Sequence, residues 1–281
     1  MAIGEKPLKR ILEINEPKLK TSITRIEPNR IATRGYSQED LIANISFSEM
    51  VYLLLKGEMP SPKEAKILNH TLISFCDHGV TPPSTQAARL IASSGSPMNV
   101  ALSGGLLSFG KKHAGAIEDS MDLLQNTIND LNILNKSPDF DKIANEIVEN
   151  YLNNGFKVPG FGHRYHKKDP RGNKLIKLAI KEDFIGPHLK LALAIEKELF
   201  ERKKININLD GANAAILSDM GFSSELGLGL FMIGRTPGLI AHVHEEMTEE
   251  EGFRKFCDID DISYQGDENN SLKGYNGDTD S

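Results

Sequence analysis

Six ionisable side chains stand where this sequence could do chemistry, each beside glycine, a Pro-containing bend or an uncharged run. They are His78, His113, His163, Arg171, Asp210 and Arg235. The histidines lie in "CDHGVTPPS", "FGKKHAGAIED" and "VPGFGHRYHKKDP". The aspartate lies in "INLDGANAAI", which has no other charge, and the arginines follow an Asp-Pro pair and interrupt "IGRTPG".

This combination suits proton transfer on a substrate that carries several carboxylates. Histidine titrates near neutral pH and acts as acid or base, and arginine binds carboxylates through two parallel hydrogen bonds. Burial of Asp210 among Leu209, Ala212 and Ala214 would raise its pKa, as the proton carrier of a carbon acid requires. The sequence has neither a metal-binding motif nor a dinucleotide fingerprint, and we expect no metal site.

These residues also have plainer interpretations. Asp210 could cap a helix that begins at Gly211, because Asp is favoured at N-caps. Arg235 could extend its head group to solvent or pair with a glutamate. His242 and His244 point to different sides of a helix, so no metal pair is expected there, and "HEEMTEEEG" is interpreted as an exposed helix end. The basic residues behind the Gly-rich loop could form a solvated turn: Arg164, His166, Lys167 and Lys168.

Composition narrows the class of protein. The 281 residues carry a net charge of −6, which gives nucleic-acid binding no general electrostatic support. Cys76 and Cys257 show no paired spacing and suit a reducing compartment. "MAIGEKPLKR" lacks an apolar signal region. "LGLGLFMIGRTPGLIAHV" is interrupted by Arg235 and Pro237, which predicts a buried helix instead of a membrane span. We therefore predict a soluble, cytoplasmic protein.

The elements that must position these residues are mostly helices. "TSITRIEPNRIATRGY" alternates apolar and polar residues on both sides of a Pro-Asn pair and predicts one short β-hairpin. Ser46 with Glu49 forms a predicted capping box, and Gly57 followed by Pro60 predicts the end of that helix. Pro62 predicts another helix start. Apolar residues at helical spacing predict helices around 140–151 and 191–199. No set of strand runs would build a parallel sheet, so the predicted fold class is all-α.

The order of these segments resembles the citrate synthase superfamily. "RGYSQEDLIANISFSEMVYLLLKGEMPSP" is similar to its N-terminal signature. Four segments are similar to the blocks that carry its active site, in the same order: "DHGVTPPSTQAARLIASSGSPMNVALSGGLLSFGKKHAGAIEDSM", "VPGFGHRYHKKDPR", "NLDGANAAILSDMGF" and "FMIGRTPGLIAHVHEEM". The resemblance extends from about Thr21 to about Tyr264.

The resemblance implies a role for each candidate residue. His113 stands where the family binds the thioester carbonyl and its enolate, and His163 where a histidine meets the oxaloacetate carbonyl or the citryl hydroxyl. Asp210 matches the aspartate that exchanges a proton with the acetyl methyl. The positions expected to hold substrate carboxylates are His78, Arg171, Arg235 and Arg254; citrate synthases take one such arginine from the neighbouring subunit, and Arg254 is its candidate here. Coenzyme A is expected along Val158, Pro159, Gly160, Phe161, Gly162 and Arg164, with its phosphates near Lys167 and Lys168.

The resemblance also implies a domain organisation. A large helical domain would comprise residues 1–116 and 225–264, and a small helical domain residues 117–224. The polar residues 265–281 are predicted to be a disordered tail, because they offer too little apolar surface to offset the entropy of ordering. The family works as dimers or dimers of dimers, so a homo-oligomer is expected.

Within the superfamily, the sequence is closest to the citryl-CoA lyases and the citrate-synthase-like module of ATP-citrate lyase. Only "KEAKILNHTLISFC" stands where citrate synthases carry a long helical segment, and "FRKFCDIDDISY" is similar to the lyase ending. The implied function is cleavage of citryl-CoA to acetyl-CoA and oxaloacetate in citrate metabolism. No permanently bound cofactor is expected, since coenzyme A is part of the substrate, and a citryl-CoA synthetase is the expected partner enzyme. The alternatives are a citrate synthase, with 2-methylcitrate variants included, and a non-catalytic assembly module that binds coenzyme A.

Overall fold

The computed structural model describes residues 19–133, 138–163 and 169–270. Within them the fold is helical apart from one small sheet at its start, which confirms the predicted class. The α-helices are α1 (Gln38–Asn44), α2 (Phe47–Lys56), α3 (Pro62–Phe75), α4 (Pro83–Ser93), α5 (Met98–Leu107), α6 (Ala116–Ile133), α7 (Phe140–Asn153), α8 (Pro170–Lys181), α9 (Pro187–Lys203), α10 (Leu209–Asp219) and α11 (Glu225–Glu249). A 3₁₀ turn follows at Ile259–Asp261.

The sheet is antiparallel and has three strands, β1 (Thr24–Glu27), β2 (Arg30–Thr33) and β3 (Tyr36–Ser37). The first two form the predicted hairpin, and Asn29 in its turn has φ 60°, a left-handed conformation that Asn tolerates. The third strand was not predicted, because two residues are too few to show an alternating pattern.

Local sequence sets several helix ends as predicted. The backbone N–H of Ser46 donates to Glu49 Oε2 at 2.8 Å, and the reciprocal bond completes the capping box of α2. Gly57 ends α2 with φ 82°, where glycine has no steric penalty. Pro62 opens α3 behind a second capping box, formed by Ser61. These predictions are confirmed.

The interpretation of Asp210 as a helix cap is wrong. Helix α10 begins at Leu209 and not at Gly211, and its cap is Asn208, whose Oδ1 accepts the Gly211 N–H at 3.0 Å. Asn is as strong a cap as Asp. Asp210 therefore lies inside the first turn of α10, and its carboxyl does not cap the helix.

The interpretation of "HEEMTEEEG" as an exposed helix end is wrong at one position. Helix α11 runs on through Pro237, and Glu246 near its end is only 2% exposed. Arg89 Nε donates to Glu246 Oε2 at 2.6 Å, and Arg254 Nε donates to Oε1 at 2.7 Å. Partners distant in sequence cover a carboxylate that the local pattern places in solvent.

Two helices form the centre of the fold. Helix α10 packs against α6, α8 and α9, and α11 packs against α3, α4, α5 and α6. A second, smaller apolar cluster joins α4, α5 and α11 through Ala88, Ala92, Ala101, Leu239 and Val243. Asp210 lies on one central helix and Arg235 on the other, so the core itself holds both.

Helix α11 is long and apolar enough to cross a membrane by those two criteria alone. It nevertheless contains the buried Arg235 and Glu246 and contacts four other helices. This is the pattern of a core helix, as the sequence predicted.

The division into a large and a small domain stays a prediction. Residues assigned to the two predicted domains are in contact: Lys63 and Lys66 of α3 form ion pairs with Asp183 and Glu182, just after α8. Residues 265–270 of the predicted tail are exposed, and its remainder lies outside the described residues.

Candidate active site

The six side chains selected from the sequence line a single cavity of about 270 Å³. They are His78, His113, His163, Arg171, Asp210 and Arg235. They come from three loops and three helices that are far apart in sequence. The fold therefore brings together the groups that the sequence analysis predicted to act together.

His78 lies in the turn that follows α3. Gly79 has φ 72°, and its N–H donates to Asp77 Oδ2 at 3.1 Å, which closes the turn. The His78 ring stands nearly perpendicular to the His163 ring, with 5.8 Å between their centres. Burial, with the charge of two nearby arginines, lowers the pKa of His78. A neutral imidazole can donate a hydrogen bond to a substrate oxygen without carrying charge.

His113 lies in a tight turn between α5 and α6. The backbones of Gly110 and His113 exchange two hydrogen bonds of 2.9 and 2.8 Å, and Ala114 has φ 67°. The ring is held at Nε2, which is 2.8 Å from Ser84 Oγ, and it lies 5.0 Å from the Phe109 ring centre. These contacts fix its orientation before any ligand binds.

The Gly-rich loop lies directly on the first turn of α10. Gly160 has φ 83°, and a Cβ at this position would be 2.6 Å from the Cα of Gly211. Asn208 holds the loop twice, since its N–H donates to Gly160 O at 3.0 Å and its Nδ2 to Gly162 O at 2.8 Å. A larger residue at 160 would push the loop away from α10, and His163 with it.

Asp169 lines the cavity and contacts two of the candidate side chains, Arg171 and His163. It is 1% exposed and caps α8 by accepting the Arg171 N–H at 3.0 Å. The Arg171 guanidinium also binds it through Nε at 3.2 Å and Nη2 at 2.9 Å, and His163 Nε2 is 3.8 Å away. Burial alone would raise the pKa of Asp169, but Arg171 and then His163 hold it below its ordinary value. Asp169 therefore stays ionised beside the histidine.

The pKa of Asp210 is shifted upward, in the opposite direction to the pKa of Asp169. Its backbone neighbours Leu209 and Gly211 are buried, while its carboxyl is part-exposed toward the cavity. Burial raises the pKa of Asp210 to about 6, against the attraction of Arg171 and Arg235. A carboxyl with this pKa can take up and release a proton near neutral pH, as the sequence analysis expected.

Arg235 is 3% exposed and neither reaches solvent nor pairs with a glutamate among the described residues. Its Nε donates to Phe75 O at 2.7 Å, and its guanidinium carbon lies 5.0 Å from the centre of the Phe231 ring. Burial lowers the pKa of Arg235, and the carboxylates of Asp77 and Asp210 oppose that effect. A guanidinium held in this way is suited to an anionic ligand in the cavity.

Arg254 does not reach this cavity within its own chain. Its Nη2 lies 2.7 Å from Glu246 Oε2 and 3.2 Å from Glu250 Oε2, beside a separate groove. A contribution of Arg254 across a subunit interface stays a prediction.

The predicted coenzyme A positions are spread around the loop. Gly162 lines the cavity, Val158 and Gly160 are buried, and Pro159 lines a separate groove. Phe161 is half-buried and bridges to Ile207. The other three positions lie outside the described residues: Arg164, Lys167 and Lys168.

Four residues at the site were missed by the sequence analysis. Asp169 and Asn208 carried a usable signal, since each is a favoured N-cap residue just before a candidate side chain. Ser84 carried none, because only the fold brings it to His113, 29 residues away. Lys112 also lines the cavity. Among the described residues, no group of three or more His, Cys, Asp or Glu side chains is placed to hold a metal ion.

The chain also matches a known protein family. Residues 59–255 match the family model "Citrate synthase, C-terminal domain". The glyoxysomal citrate synthase of Cucurbita maxima is 33% identical over 223 residues, which cover 74% of this chain. The chain spans 41%, 58% and 56% of the lengths of three such synthases, or about half.

Comparison with solved structures gives a longer match. Citryl-CoA lyase from Hydrogenobacter thermophilus is 41% identical, with a TM-score of 0.81, and the match covers 91% of this chain and 98% of that chain. ATP citrate lyase from Methanothrix soehngenii, solved with citrate and coenzyme A, gives a TM-score of 0.77 at 21% identity. That match covers 95% of this chain and 45% of the other, and it supports the fold alone.

Proposed function

The chain belongs to the citrate synthase family, and from that premise we propose that it cleaves citryl-CoA to acetyl-CoA and oxaloacetate. The observation that carries the proposal is the 41% identity with a citryl-CoA lyase over 91% of this chain. The length of one segment supports the proposal as well. The single helix α3 connects the turn at Gly57 to the turn at His78, where citrate synthases are expected to carry a long helical segment.

The first step is removal of a proton from the tertiary hydroxyl of citryl-CoA. His163 takes this proton, and the ionised Asp169, 3.8 Å from its Nε2, stabilises the imidazolium that forms. The hydroxyl oxygen becomes the ketone oxygen of oxaloacetate as the adjacent carbon–carbon bond breaks. The electron pair of that bond passes to the acetyl-CoA enolate.

The second step is protonation of the enolate. His113, oriented by Ser84, donates a hydrogen bond to the enolate oxygen in the manner of an oxyanion hole. Asp210 delivers its proton to the enolate carbon, which completes the acetyl methyl group. The proton that His163 holds then returns to Asp210 through solvent, so the cycle consumes no net proton.

The remaining groups hold the substrate. Three residues that line the cavity bind the carboxylates of the oxaloacetate half: Arg171, Arg235 and the neutral His78. The coenzyme A chain follows the Gly-rich loop. No permanently bound cofactor takes part in this scheme.

The test is an assay with synthetic citryl-CoA. Oxaloacetate is followed with a coupled dehydrogenase, and free coenzyme A with a thiol reagent. The half-buried Cys76 and the exposed Cys257 react with the same reagent, so a protein-only trace is subtracted. Formation of oxaloacetate without free thiol is the expected result. Release of citrate and free coenzyme A would overturn the proposal.

Paired variants test the proton carrier. Asp210→Asn keeps the size of the side chain and should lower cleavage at least about 100-fold, the usual contribution of a general acid. Asp122→Asn, on the exposed face of α6, is the matched control and should retain wild-type cleavage. Turnover by the Asp210 variant at the rate of the control would show that another group carries the proton.

A second candidate function is citrate synthase itself. The 33% identity with a glyoxysomal citrate synthase favours it. A synthase would condense acetyl-CoA with oxaloacetate and hydrolyse citryl-CoA, which the thiol reagent detects. If neither reaction occurs but coenzyme A raises the melting temperature, the chain is a binding module.

We further propose that the chain acts as a homodimer or a dimer of dimers, with a citryl-CoA synthetase supplying its substrate. Arg254 would then reach the cavity of a second subunit. Mixing Arg254→Ala chains with Asp210→Ala chains should restore part of the activity in hybrid dimers. Absence of any recovery would count against Arg254 as a shared residue.

A further inference from the structure

The carboxylate of Asp77 holds the turn that presents His78. It accepts the N–H of Gly79, the residue after His78, at 3.1 Å. On its other side, Asp77 Oδ1 lies 2.9 Å from Nε2 of His242, on the C-terminal half of α11. One side chain therefore joins the backbone around a cavity histidine to a helix of the core.

Helix α11 is shaped to receive this segment of chain. Gly234, Gly238 and His242 recur every four residues and so lie along one face of the helix. A Cβ at Gly234 would overlap Phe75, and one at Gly238 would overlap the carbonyl oxygen of Cys76. The two glycines let the backbone of residues 75 and 76 rest on α11, and His242 continues the same face to Asp77.

Other charges surround this pair. His242 Nδ1 lies 3.8 Å from Glu245 Oε2, and that carboxylate is bound by Arg89 of α4. Arg89 also binds Glu246 at 2.6 Å and Glu250 at 3.0 Å. His242 is therefore held from one side by α4 and the end of α11. The Asp77 side chain is 51% exposed, so water competes for its hydrogen bonds.

We propose that His242 is a positioning residue, which holds the imidazole of His78 at the cavity by fixing Asp77. This inference rests on the proposed function, in which His78 binds the oxaloacetate half of the substrate. His242 does not line the cavity and takes no part in proton transfer.

Loss of the His242 hydrogen bond should change substrate binding more than chemistry. His78 holds the substrate in the ground state and the transition state alike, so its displacement raises KM and leaves kcat nearly unchanged. A hydrogen bond to a half-exposed carboxylate corresponds to about a 5-fold rise in KM.

Three substitutions separate positioning from general stability. His242→Leu removes the hydrogen bond. His242→Gln keeps an N–H donor at nearly the same reach and should restore the wild-type KM. His244→Leu changes an exposed histidine two residues further along α11 and is the matched control. If His242→Leu fails to fold, His242→Asn replaces it, because its amide is too short to reach Asp77.

The experiment combines KM and kcat for citryl-CoA with histidine-ring ¹H–¹⁵N NMR of the unliganded chain. The His78 signal is assigned from a His78→Gln variant. The expected result is a raised KM and a shifted His78 signal in His242→Leu, both reversed in His242→Gln and absent in His244→Leu. An unchanged KM with an unchanged His78 signal would overturn the inference, even if the melting temperature falls.

Failure of the proposed function is a separate outcome. A wild-type chain that does not cleave citryl-CoA contradicts that function, and the NMR signal of His78 then decides the positioning role without any turnover. A His78 signal that stays in place in His242→Leu would refute the role in that case as well.

Discussion

Replacement of Asp210 by Asn should stabilise the folded chain while it abolishes turnover. Burial raises the pKa of Asp210 to about 6 from its ordinary 3.8. A carboxyl whose pKa rises on folding binds its proton more tightly in the folded state than in the unfolded one. The contribution of Asp210 to the stability of the wild-type chain is therefore greatest below about pH 4, falls as the pH rises to about 6, and stays at the lower value beyond. An amide does not ionise and escapes this loss.

The size of the effect follows from the two pKa values. The gap between 3.8 and about 6 corresponds to about 3 kcal/mol, at about 1.4 kcal/mol for each pH unit. The Asp210 carboxyl faces a cavity that solvent can enter, and screening reduces the penalty. We expect Asp210→Asn to gain about 2 kcal/mol at pH 8. At pH 5 the wild-type group is already mostly protonated when folded, so the gain falls to about half.

The assay is urea unfolding of both chains at pH 5 and pH 8, with citryl-CoA cleavage measured on the same samples. Asp122→Asn on α6 is the control for loss of a carboxylate at an exposed position, and it should leave stability within about 0.5 kcal/mol. Equal stability of Asp210→Asn and wild type at pH 8 would refute the reasoning. A gain that does not shrink toward pH 5 would do the same, since its source would not be ionisation.

Two further predictions concern α11. Gly238→Ala should lower the free energy of unfolding by about 1–3 kcal/mol, because its Cβ meets the Cys76 carbonyl oxygen. The control is Gly229→Ala, whose Cβ would have no atom within 4 Å, and its free energy of unfolding should rise by up to about 1 kcal/mol. Equal urea midpoints for the two variants would contradict the close contact between Gly238 and the Cys76 carbonyl. Glu246→Gln should cost about 1–3 kcal/mol, because the buried bonds to Arg89 and Arg254 lose the charge of their acceptor, while Glu245 and Glu250 still bind Arg89. The exposed Glu249→Gln should cost less than about 0.5 kcal/mol. Burial would raise the pKa of Glu246, but its arginine partners hold it below the ordinary 4.5. The Glu246 contribution is thus present above about pH 4.5 and disappears in acid, and urea midpoints that differ equally at pH 3 and pH 7 would contradict it.

Local signals in the sequence predicted the parts of the fold that depend on neighbouring residues. The capping box of Ser46, the opening proline at 62 and the αL glycine at 57 all act within a few residues, and the structure confirms them. Only the alternative interpretation of Asp210 as a helix cap was wrong, because Asn208, two residues earlier, is an equally strong cap residue and takes that position. The sequence contains both possible cap residues, Asn208 and Asp210, and only the backbone geometry shows which of them caps the helix.

Contacts between distant segments were beyond local patterns. Glu246 appears in a run of glutamates that is typical of a solvated helix end, and only Arg89, 157 residues away, makes it a buried partner. Ser84 at His113 is a similar case. The candidate side chains of the cavity were selected because several chemically related groups occurred together, which a single histidine or arginine could not indicate.

The charges around the cavity are balanced in a way that leaves room for an anion. Arg171 is neutralised by the ionised Asp169, which binds it twice. Within the part of the chain that the structure describes, no carboxylate binds Arg235 in this way, and the carboxylates that offset its charge are those of Asp77 and Asp210. When Asp210 carries the proton that the proposed reaction needs, Arg235 loses one of the two. A substrate carboxylate at Arg235 would replace the missing charge, so binding of the anion and protonation of Asp210 favour each other. In the proposed reaction, Arg235 would thereby couple binding of the substrate to the protonated state of Asp210 that the cleavage needs.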